Sequence, residues 1–310
     1  MPRCDHQERQ PGIVETFPVV NLIPFTLLFA WGSLTAEVID YPPTEAGVSF
    51  STIQTLAAGL PTAELFYAQE PQQYGELWLP VGGGPFPVVV FIHGGCWLNT
   101  FDITHTHAAS TALTYAGYAV WSLEYRRIGD PGGGWPGTFD DISRGVDHLL
   151  ALAARYPVDV SQVYLVGHSA GGHLALWAAG REVLPGKNTV TIAAVITLAG
   201  ITDLESFAAG KSSCQRAVVQ LMGGPPARWP DRYQQASPMY RLPANVPTTL
   251  IQGTSDTIVP MSQAEAYYES ARLNEGGGRI KLRRVAGAGH FDLIHPGTEA
   301  WQQLLEALTE

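Results

Sequence analysis

The sequence predicts an α/β fold, in which helices cover both faces of a mostly parallel central sheet. Two observations support this prediction. Short apolar runs alternate with segments of helical length from residue 76 to the C terminus, and strands that alternate with helices in this way form parallel sheets. The runs at 88–92 and 163–166 are continuously apolar or aromatic, which is typical of strands that are buried on both faces.

The expected elements follow one another without an internal repeat or a low-complexity segment. After an irregular entry at 37–75, strands are predicted at 76–80, 88–92, 119–123, 163–166, 191–198, 248–252 and 280–285. Helices are predicted at 106–116, 139–155, 173–179, 261–274 and 297–308. Residues 203–245 have no clear period, so they are expected to form a small cap insertion over the top edge of the sheet. Residues 37–310 are predicted to form one domain.

Composition and charge indicate a globular protein and argue against nucleic-acid binding. Hydrophobic residues make up 45% of the 310 residues and charged residues 15%, so enough apolar surface exists to form a sizeable core. The net charge of −10 and the lack of a basic cluster argue against a nucleic-acid surface. The excess of acidic residues does not indicate a particular binding partner, and we interpret it as a contribution to solubility.

The three cysteines, Cys4, Cys96 and Cys214, form no C-x-x-C pair. A structural zinc site and a disulfide framework are therefore not expected. Free thiols are the favoured interpretation, and a single bridge between Cys96 and Cys214 in an oxidising compartment is the alternative.

The N-terminal residues 1–36 contain a candidate secretory signal. The apolar run at 17–31 follows Arg3 and Arg9 and precedes a small residue at Ala36, where cleavage is expected. The run is too short to span a bilayer comfortably, so no stable membrane insertion is predicted. Export to the periplasm or the medium is favoured, and a hydrophobic segment that packs on a cytoplasmic domain is the alternative.

The chemistry is expected to centre on Ser169. The predicted strand at 163–166 leads into a G-x-S-x-G turn formed by Gly167, Ser169 and Gly171, and a helix-forming run follows at once. This arrangement is typical of a nucleophilic serine that is lifted on a sharp turn at the carboxyl end of a strand. A serine hydroxyl needs a base, a group that orients the base, and donors for the oxyanion.

The base is expected to be a histidine, because its pKa lies near neutral pH. His290 lies after the last predicted strand in a glycine-rich loop that can carry an imidazole across the top of the sheet. His295 is its competitor. His168 and His173 share the turn with the serine, so they cannot easily reach over its hydroxyl. The remaining histidines lie in the leader or on predicted helices and are His6, His105, His107 and His148.

The orienting acid is expected between the serine and the histidine in chain order. Asp256 directly follows the predicted strand at 248–252 and is the favoured candidate. Asp203, which follows the preceding strand, is its rival. Asp292 is too close to His290 in sequence to orient it well.

Backbone N–H groups are expected to bind the oxyanion. One belongs to Ala170, which follows the nucleophile, and the others are expected in the loop 93–97, whose sequence is HGGCW and which follows the strand at 88–92. Glycines allow N–H groups to converge on an oxygen without an intervening side chain.

Three motifs, at 93–97, 129–141 and 167–173, are similar to the α/β-hydrolase family. They resemble a branch that holds carboxylesterases, including feruloyl and acetyl-xylan esterases, and kynurenine formamidase-like enzymes. The resemblance implies an α/β-hydrolase fold without metal or organic cofactor. Its implied site residues are Ser169, Asp256 and His290 as the catalytic triad, with Gly94, Gly95, Cys96 and Ala170 around the oxyanion. Cys96 departs from the family, whose members often carry an aromatic residue or a third glycine there.

The sequence therefore predicts a serine carboxylesterase that cleaves small-molecule esters of small or aromatic acids through an acyl-enzyme. An aryl-formamidase or amidase with the same triad is the alternative, and a non-catalytic binding protein is a third. Trp97, Trp135 and the cap insertion with Trp229 are candidate pocket walls, and core packing of these tryptophans is the competing interpretation.

Overall fold

The computed structural model describes residues 38–181, 189–242, 246–273 and 279–310. Residues 39–310 form one unit, whereas the candidate secretory signal at 1–36 lies outside the described residues. Among the described residues, no helix is both long and apolar enough to cross a bilayer.

An eight-stranded sheet forms the centre of this unit. Its strands are β1 Ala63–Phe66, β2 Tyr74–Trp78, β3 Phe86–Ile92, β4 Ala119–Leu123, β5 Val158–His168, β6 Ile192–Leu198, β7 Thr248–Gly253 and β8 Ile280–Val285. The order in the sheet is β1-β2-β4-β3-β5-β6-β7-β8. The β1–β2 and β2–β4 pairs are antiparallel and the other pairs are parallel. The predicted α/β-hydrolase fold with a mostly parallel sheet is confirmed.

Helices and 3₁₀ turns connect the strands. The helices are α1 Phe50–Gln54, α2 His107–Tyr115, α3 Gly137–Asp147, α4 Leu149–Leu152, α5 Ala170–Ala179, α6 Leu204–Ala208, α7 Ser213–Leu221, α8 Pro230–Ala236, α9 Met261–Leu273 and α10 Glu299–Leu308. The helix predicted at 139–155 is divided into α3 and α4. The other predicted helices agree with the structure to within a few residues at each end.

Two predicted irregular regions contain regular structure. The entry at 37–75 contains α1 and β1, which are too short for a periodic signal; β1 lies at the edge of the sheet, where it pairs only with β2. The cap insertion contains α6, α7 and α8. A capping box between Ser212 and Gln215 begins α7, and this spacing is the sequence signal that would have identified the helix.

The parallel strands bring the predicted site residues to one edge of the sheet. The centre of the core is formed by β3 and β4, whose residues 88–92 and 119–123 are all buried. Ser169 directly follows β5, Asp256 comes three residues after β7, and His290 comes five residues after β8. Carboxyl ends of parallel strands meet at the same edge of a sheet, so residues far apart in the chain converge there.

Candidate active site

Ser169 lies on a sharply strained turn between β5 and α5. Its backbone has φ 56° and ψ −120°, a left-handed conformation that non-glycine residues adopt only when their surroundings enforce it. A Cβ atom on Gly167 would lie 2.1 Å from the Gly171 carbonyl oxygen, and one on Gly171 would lie 2.0 Å from the Ile92 carbonyl oxygen. The two glycines of the G-x-S-x-G motif are therefore required by close backbone contact.

Asp256 and His290 form a hydrogen-bonded pair. The Asp256 Oδ2 atom accepts from His290 Nδ1 at 2.8 Å, and the side chains are 0% and 6% exposed. Burial works to raise the pKa of Asp256, but the bond and charge of His290 and the N–H groups of Val259 and Ile258 outweigh it, so that the pKa lies below its ordinary value. An ionised carboxylate thus holds the Nδ1 proton of His290, which leaves Nε2 free to accept a proton.

Ser169 and His290 line the same cavity, which has a volume of about 250 Å³. His168, the residue before the nucleophile, lies against His290 with ring centroids 4.5 Å apart, and its Nε2 donates to the His290 carbonyl oxygen at 3.0 Å. Burial, and the nearby His290 next, keep the pKa of His168 well below its ordinary value. The structure therefore brings the three predicted triad residues together, with a neutral His168 supporting His290.

The rivals considered from sequence do not join the Asp256–His290 pair. Asp203 caps α6 by accepting from two backbone N–H groups of that helix. Asp292 is buried and accepts from backbone N–H groups of the segment 47–48 and of Gly289. His295 accepts through Nδ1 from a backbone N–H of its own loop at 3.1 Å. Each rival therefore has a local structural partner.

The loop 93–97 lies directly against the nucleophile. A Cβ atom on Gly94 would lie 2.9 Å from the His168 carbonyl oxygen and 3.1 Å from the Ser169 Cβ atom, so a side chain here would push the loop away from the nucleophile turn. Gly95 and Cys96 both have positive φ angles, 107° and 54°. Ala170 is the first residue of α5, where a helical N–H has no acceptor within the helix. The loop 93–97 and the first residue of α5 therefore lie next to Ser169, where the oxyanion donors are predicted.

A buried carboxylate that the sequence analysis did not identify holds this loop. Glu124 is 1% exposed, and its Oε1 atom lies 3.0 Å from His93 Nε2. Its Oε2 atom accepts from the Ile103 N–H and from Arg127 Nη1, both at 3.1 Å. Tyr125 donates its hydroxyl to the His93 carbonyl oxygen at 2.9 Å. The signal in the sequence is a charged residue directly after the largely apolar strand 119–123.

Cys96 and Cys214 form a disulfide, so the favoured interpretation of free thiols was wrong for this pair. The two residues are 118 positions apart in sequence, and their Cα atoms lie 5.1 Å apart. The absence of a C-x-x-C pair had favoured free thiols, and no local pattern in the sequence places the start of α7 against the loop 93–97. The bridge joins the loop beside Ser169 to the cap insertion, and both cysteines line the cavity.

The predicted pocket walls at Trp97 and Trp135 lie elsewhere. The Trp97 side chain is 0% exposed and packs edge-on against His173, with centroids 5.3 Å apart. It is not among the residues that line the cavity. Trp135 packs against Phe139 at 4.8 Å. These two tryptophans therefore follow the competing interpretation of core packing.

Other apolar side chains line the cavity. Trp229 of the cap insertion, also considered as a wall, lies under the Arg232 guanidinium at 3.8 Å and is not among the lining residues. The apolar lining comes from several separate segments and consists of Phe50, Leu98, Phe101, Ile258 and Phe291, next to the Cys96–Cys214 bridge. The cap insertion contributes Ser212 and Ser213 in addition to Cys214.

Comparison with known proteins supports a family assignment. A family model described as BD-FAE matches residues 76–270. Esterase LipC from Mycobacterium tuberculosis is 27% identical over 248 residues, which cover 74% of this chain and 60% of LipC. The probable isoprenylcysteine alpha-carbonyl methylesterase ICMEL1 from Oryza sativa is 28% identical over 251 residues, which cover 74% of this chain and 56% of that protein. The chain thus spans 60% or less of the length of these two relatives.

The fold comparison agrees with the sheet topology. A truncated carbohydrate esterase from gut microbiota superposes with a TM-score of 0.68 at 22% identity, over 86% of this chain and 98% of that chain. This similarity supports the α/β-hydrolase fold.

Proposed function

The chain belongs to the BD-FAE family, and we propose that it is a serine carboxylesterase that cleaves esters of small or aromatic acids through an acyl-enzyme on Ser169. One observation carries this proposal. His290, which is hydrogen-bonded to Asp256, lines the same cavity as a serine whose backbone is held in a strained conformation. This is the arrangement that a general base and a nucleophile require.

Acylation begins when His290 Nε2 takes the proton of the Ser169 hydroxyl and the Ser169 oxygen attacks the ester carbonyl carbon. The carbonyl π electrons move to oxygen, and backbone N–H groups of the loop 94–96 and of Ala170 stabilise the resulting oxyanion. Asp256 keeps the imidazole in the productive tautomer and stabilises its positive charge. The C–O bond to the alcohol then breaks as His290 gives the alcohol oxygen its proton.

Deacylation repeats these steps with water as the nucleophile. His290 takes a proton from the water, which attacks the acyl carbon, and then returns that proton to the Ser169 oxygen as the acid leaves. All the proton transfers thus use one imidazole, which the Asp256 hydrogen bond and the His168 contact hold in place.

We further propose that the protein works in an oxidising compartment, periplasmic or extracellular. The Cys96–Cys214 disulfide beside the site supports this, because structural disulfides persist in such compartments. The candidate secretory signal at 1–36 favours the same location. A mass comparison of the N terminus of the mature protein with the full sequence, after expression in the native cell, tests the cleavage.

Covalent labelling tests the proposed nucleophile. A fluorophosphonate probe is expected to label Ser169, identified by peptide mass spectrometry, and the Ser169→Ala variant is expected to remain unlabelled. A wild-type protein that folds but takes no label contradicts the enzyme proposal and favours a binding protein.

A substrate panel tests the reaction class. Nitrophenyl acetate and methyl ferulate are expected to be hydrolysed, whereas N-formylkynurenine is expected to react more slowly. Preferential turnover of N-formylkynurenine would instead identify a formamidase, because the same triad serves both reactions.

A further inference from the structure

A wall of the cavity comes from a segment that precedes the first strand. Phe50 is the first residue of α1 and lines the cavity together with Ser169 and His290. The family model begins at residue 76, so Phe50 lies outside the residues it matches. Phe50 is half-buried, which places its ring at the boundary between the cavity and its surroundings.

The Phe50 ring contacts the base side of the cavity. Its centroid lies 5.3 Å from that of Phe291, and the Phe291 centroid lies 5.1 Å from that of His290. On its other side Phe50 packs edge-on against Phe101 at 5.4 Å. Aromatic pairs at such separations attract each other, so the ring has a defined place between the base and the other apolar walls.

Asp292 fixes the segment that carries Phe50. Its carboxylate accepts from the Gly47 N–H at 3.0 Å and from the Val48 N–H at 2.9 Å. The same carboxylate accepts from the N–H of Gly289, the residue before His290. Hydrogen bonds to an ionised acceptor are stronger than neutral ones. Asp292 thus connects the segment 47–50 to the loop that carries the base.

The chemistry of the proposed reaction identifies the part of the substrate that meets this wall. His290 donates its proton to the leaving alcohol oxygen during acylation. The alcohol group must therefore lie within hydrogen-bond reach of His290, on the side of the cavity that Phe291 and Phe50 close.

We propose that Phe50 is a specificity-determining residue that contacts an apolar or aromatic alcohol group of the ester, and that Asp292 is its positioning residue. This inference rests on the proposed esterase function. Because the alcohol has left before water attacks, Phe50 acts on acylation and leaves deacylation unchanged.

Two ester series test Phe50, one with acetate and alcohols of increasing apolar size, the other with a constant nitrophenol and acyl groups of increasing size. In the Phe50→Ala variant, kcat/KM for the bulkier apolar alcohols falls about tenfold relative to methyl acetate, the size of effect that apolar pockets exert on substrate choice. The acyl series keeps its wild-type profile of relative kcat/KM values. The deacylation rate of the acetyl-enzyme, measured after the burst with nitrophenyl acetate, also stays at its wild-type value.

A double-mutant cycle tests Asp292. Asp292→Asn is expected to reduce the alcohol preference as Phe50→Ala does, and the combined variant is expected to show no further reduction, because both changes act through one contact. Two matched controls are Phe66→Ala, which removes an exposed ring on β1, and Asp203→Asn, which removes a carboxylate that only caps α6. Both controls keep the wild-type preference.

The Phe50→Leu variant is a control for a folding defect in Phe50→Ala, because leucine keeps most of the apolar volume. It should show a smaller reduction of the preference for bulky alcohols. An unchanged alcohol preference in folded Phe50→Ala, or a loss confined to the acyl series or to deacylation, overturns the inference. Fluorophosphonate labelling of the wild-type protein distinguishes failure of the Phe50 inference from failure of the esterase proposal. If the wild type is labelled and the alcohol preference does not depend on Phe50, only the role of Phe50 is rejected. If the wild type is not labelled, the esterase proposal itself is rejected.

Discussion

Ser169 and His290 reach the cavity from a turn and a loop that follow strands of the sheet, and Asp256 holds His290 from another such loop. Phe50 and Cys214 instead reach the cavity from α1 and from α7 of the cap insertion. We call the triad with the loop 93–97 the catalytic half, and α1 with α7 the pocket half. Short-range backbone geometry and a rigid sheet position the catalytic half. Single long-range links, the Asp292 hydrogen bonds and the disulfide, position the pocket half.

This difference suggests how one fold supports different specificities. The sheet fixes the edge at which proton transfer and oxyanion binding take place, since displacing any strand would disturb the whole core. The segments of the pocket half can change without moving that edge. Changes in the catalytic half should therefore lower the rate for every ester, whereas changes in the pocket half should alter the choice among esters or the stability of the fold.

The largest effect is expected from Asp256→Asn. The amide would no longer hold the Nδ1 proton of His290, so kcat should fall about 10,000-fold for all esters in proportion, as loss of the orienting acid does in serine hydrolases. Steady-state kinetics on the two ester series measures this. Asp203→Asn is the matched control with near wild-type rates. An active Asp256→Asn beside an inactive Asp203→Asn would show that the acid has been assigned to the wrong aspartate.

The next largest effect is expected from Glu124→Gln. Glutamine has one side-chain oxygen in place of two, so it cannot keep both the contact that Glu124 makes with His93 and the hydrogen bonds that it accepts from Ile103 and Arg127. The loop 93–97 should therefore shift away from its position against Ser169. A shift of about 1 Å in such a loop costs on the order of 100-fold in kcat. Relative kcat/KM values across both series should stay as in the wild type.

A circular dichroism spectrum like that of the wild type establishes that Glu124→Gln is folded before its rate is compared. A folded variant with wild-type kcat, or one with an altered alcohol preference, would place Glu124 outside the support of the oxyanion loop.

Reduction of the Cys96–Cys214 disulfide tests how much the bond between the catalytic half and the pocket half stabilises the fold. Cys96 and Cys214 are 118 residues apart, and removing a crosslink that closes a loop of that length costs about 5 kcal/mol of unfolding free energy in the chain-entropy model. Denaturant unfolding with and without a thiol reductant measures this loss. The double variant Cys96→Ser and Cys214→Ser should be less stable from the start and insensitive to reductant. If the reductant still lowers the unfolding free energy of the double variant, the loss does not come from the Cys96–Cys214 disulfide.

The smallest effect concerns pH and two buried histidines, His173, which packs against Trp97 of the catalytic half, and His105, which packs against Phe50 of the pocket half. Burial lowers the pKa of His173, in α5, to about 4 and that of His105, which lines the cavity, to about 3. In the unfolded chain these residues bind protons near pH 6.5. Their contribution to the unfolding free energy is therefore fully present above pH 6.5. It is lost as the pH falls from 6.5 towards about 4 for His173 and about 3 for His105. Each histidine should account for about 1.4 kcal/mol at pH 5.5.

Thermal and denaturant unfolding between pH 7.5 and pH 5 measures this loss. Replacement of His173 by Gln, whose amide can still donate to the Ala236 carbonyl oxygen that His173 contacts, should reduce the slope of unfolding free energy against pH by one proton. An unchanged slope would mean that His173 titrates normally in the folded protein.

The sequence by itself determined most of the strands and the nucleophile turn. Continuous apolar runs identify β3 and β5, and shorter segments rich in apolar residues identify β4, β6, β7 and β8. The glycines at 167 and 171 identify the turn, because the steric limits on a backbone act within a few residues. Chain order and the glycine-rich loop were enough to favour His290 over His295. Between Asp256 and Asp203, local pattern gave only a preference, since each aspartate follows a strand and precedes a helix.

Only the tertiary structure decided what closes the cavity. The disulfide spans 118 residues, the Asp292 bonds to Gly47 span 245, and neither has a local pattern. The burial of the Trp97 ring against His173 likewise depends on how the loop 93–97 packs against α5. A contact between distant segments forms only when the folded sheet has positioned both of them, so the pocket walls depend on the tertiary structure. The conformation of a strained turn depends on a few adjacent residues, so the nucleophile could be predicted from the sequence.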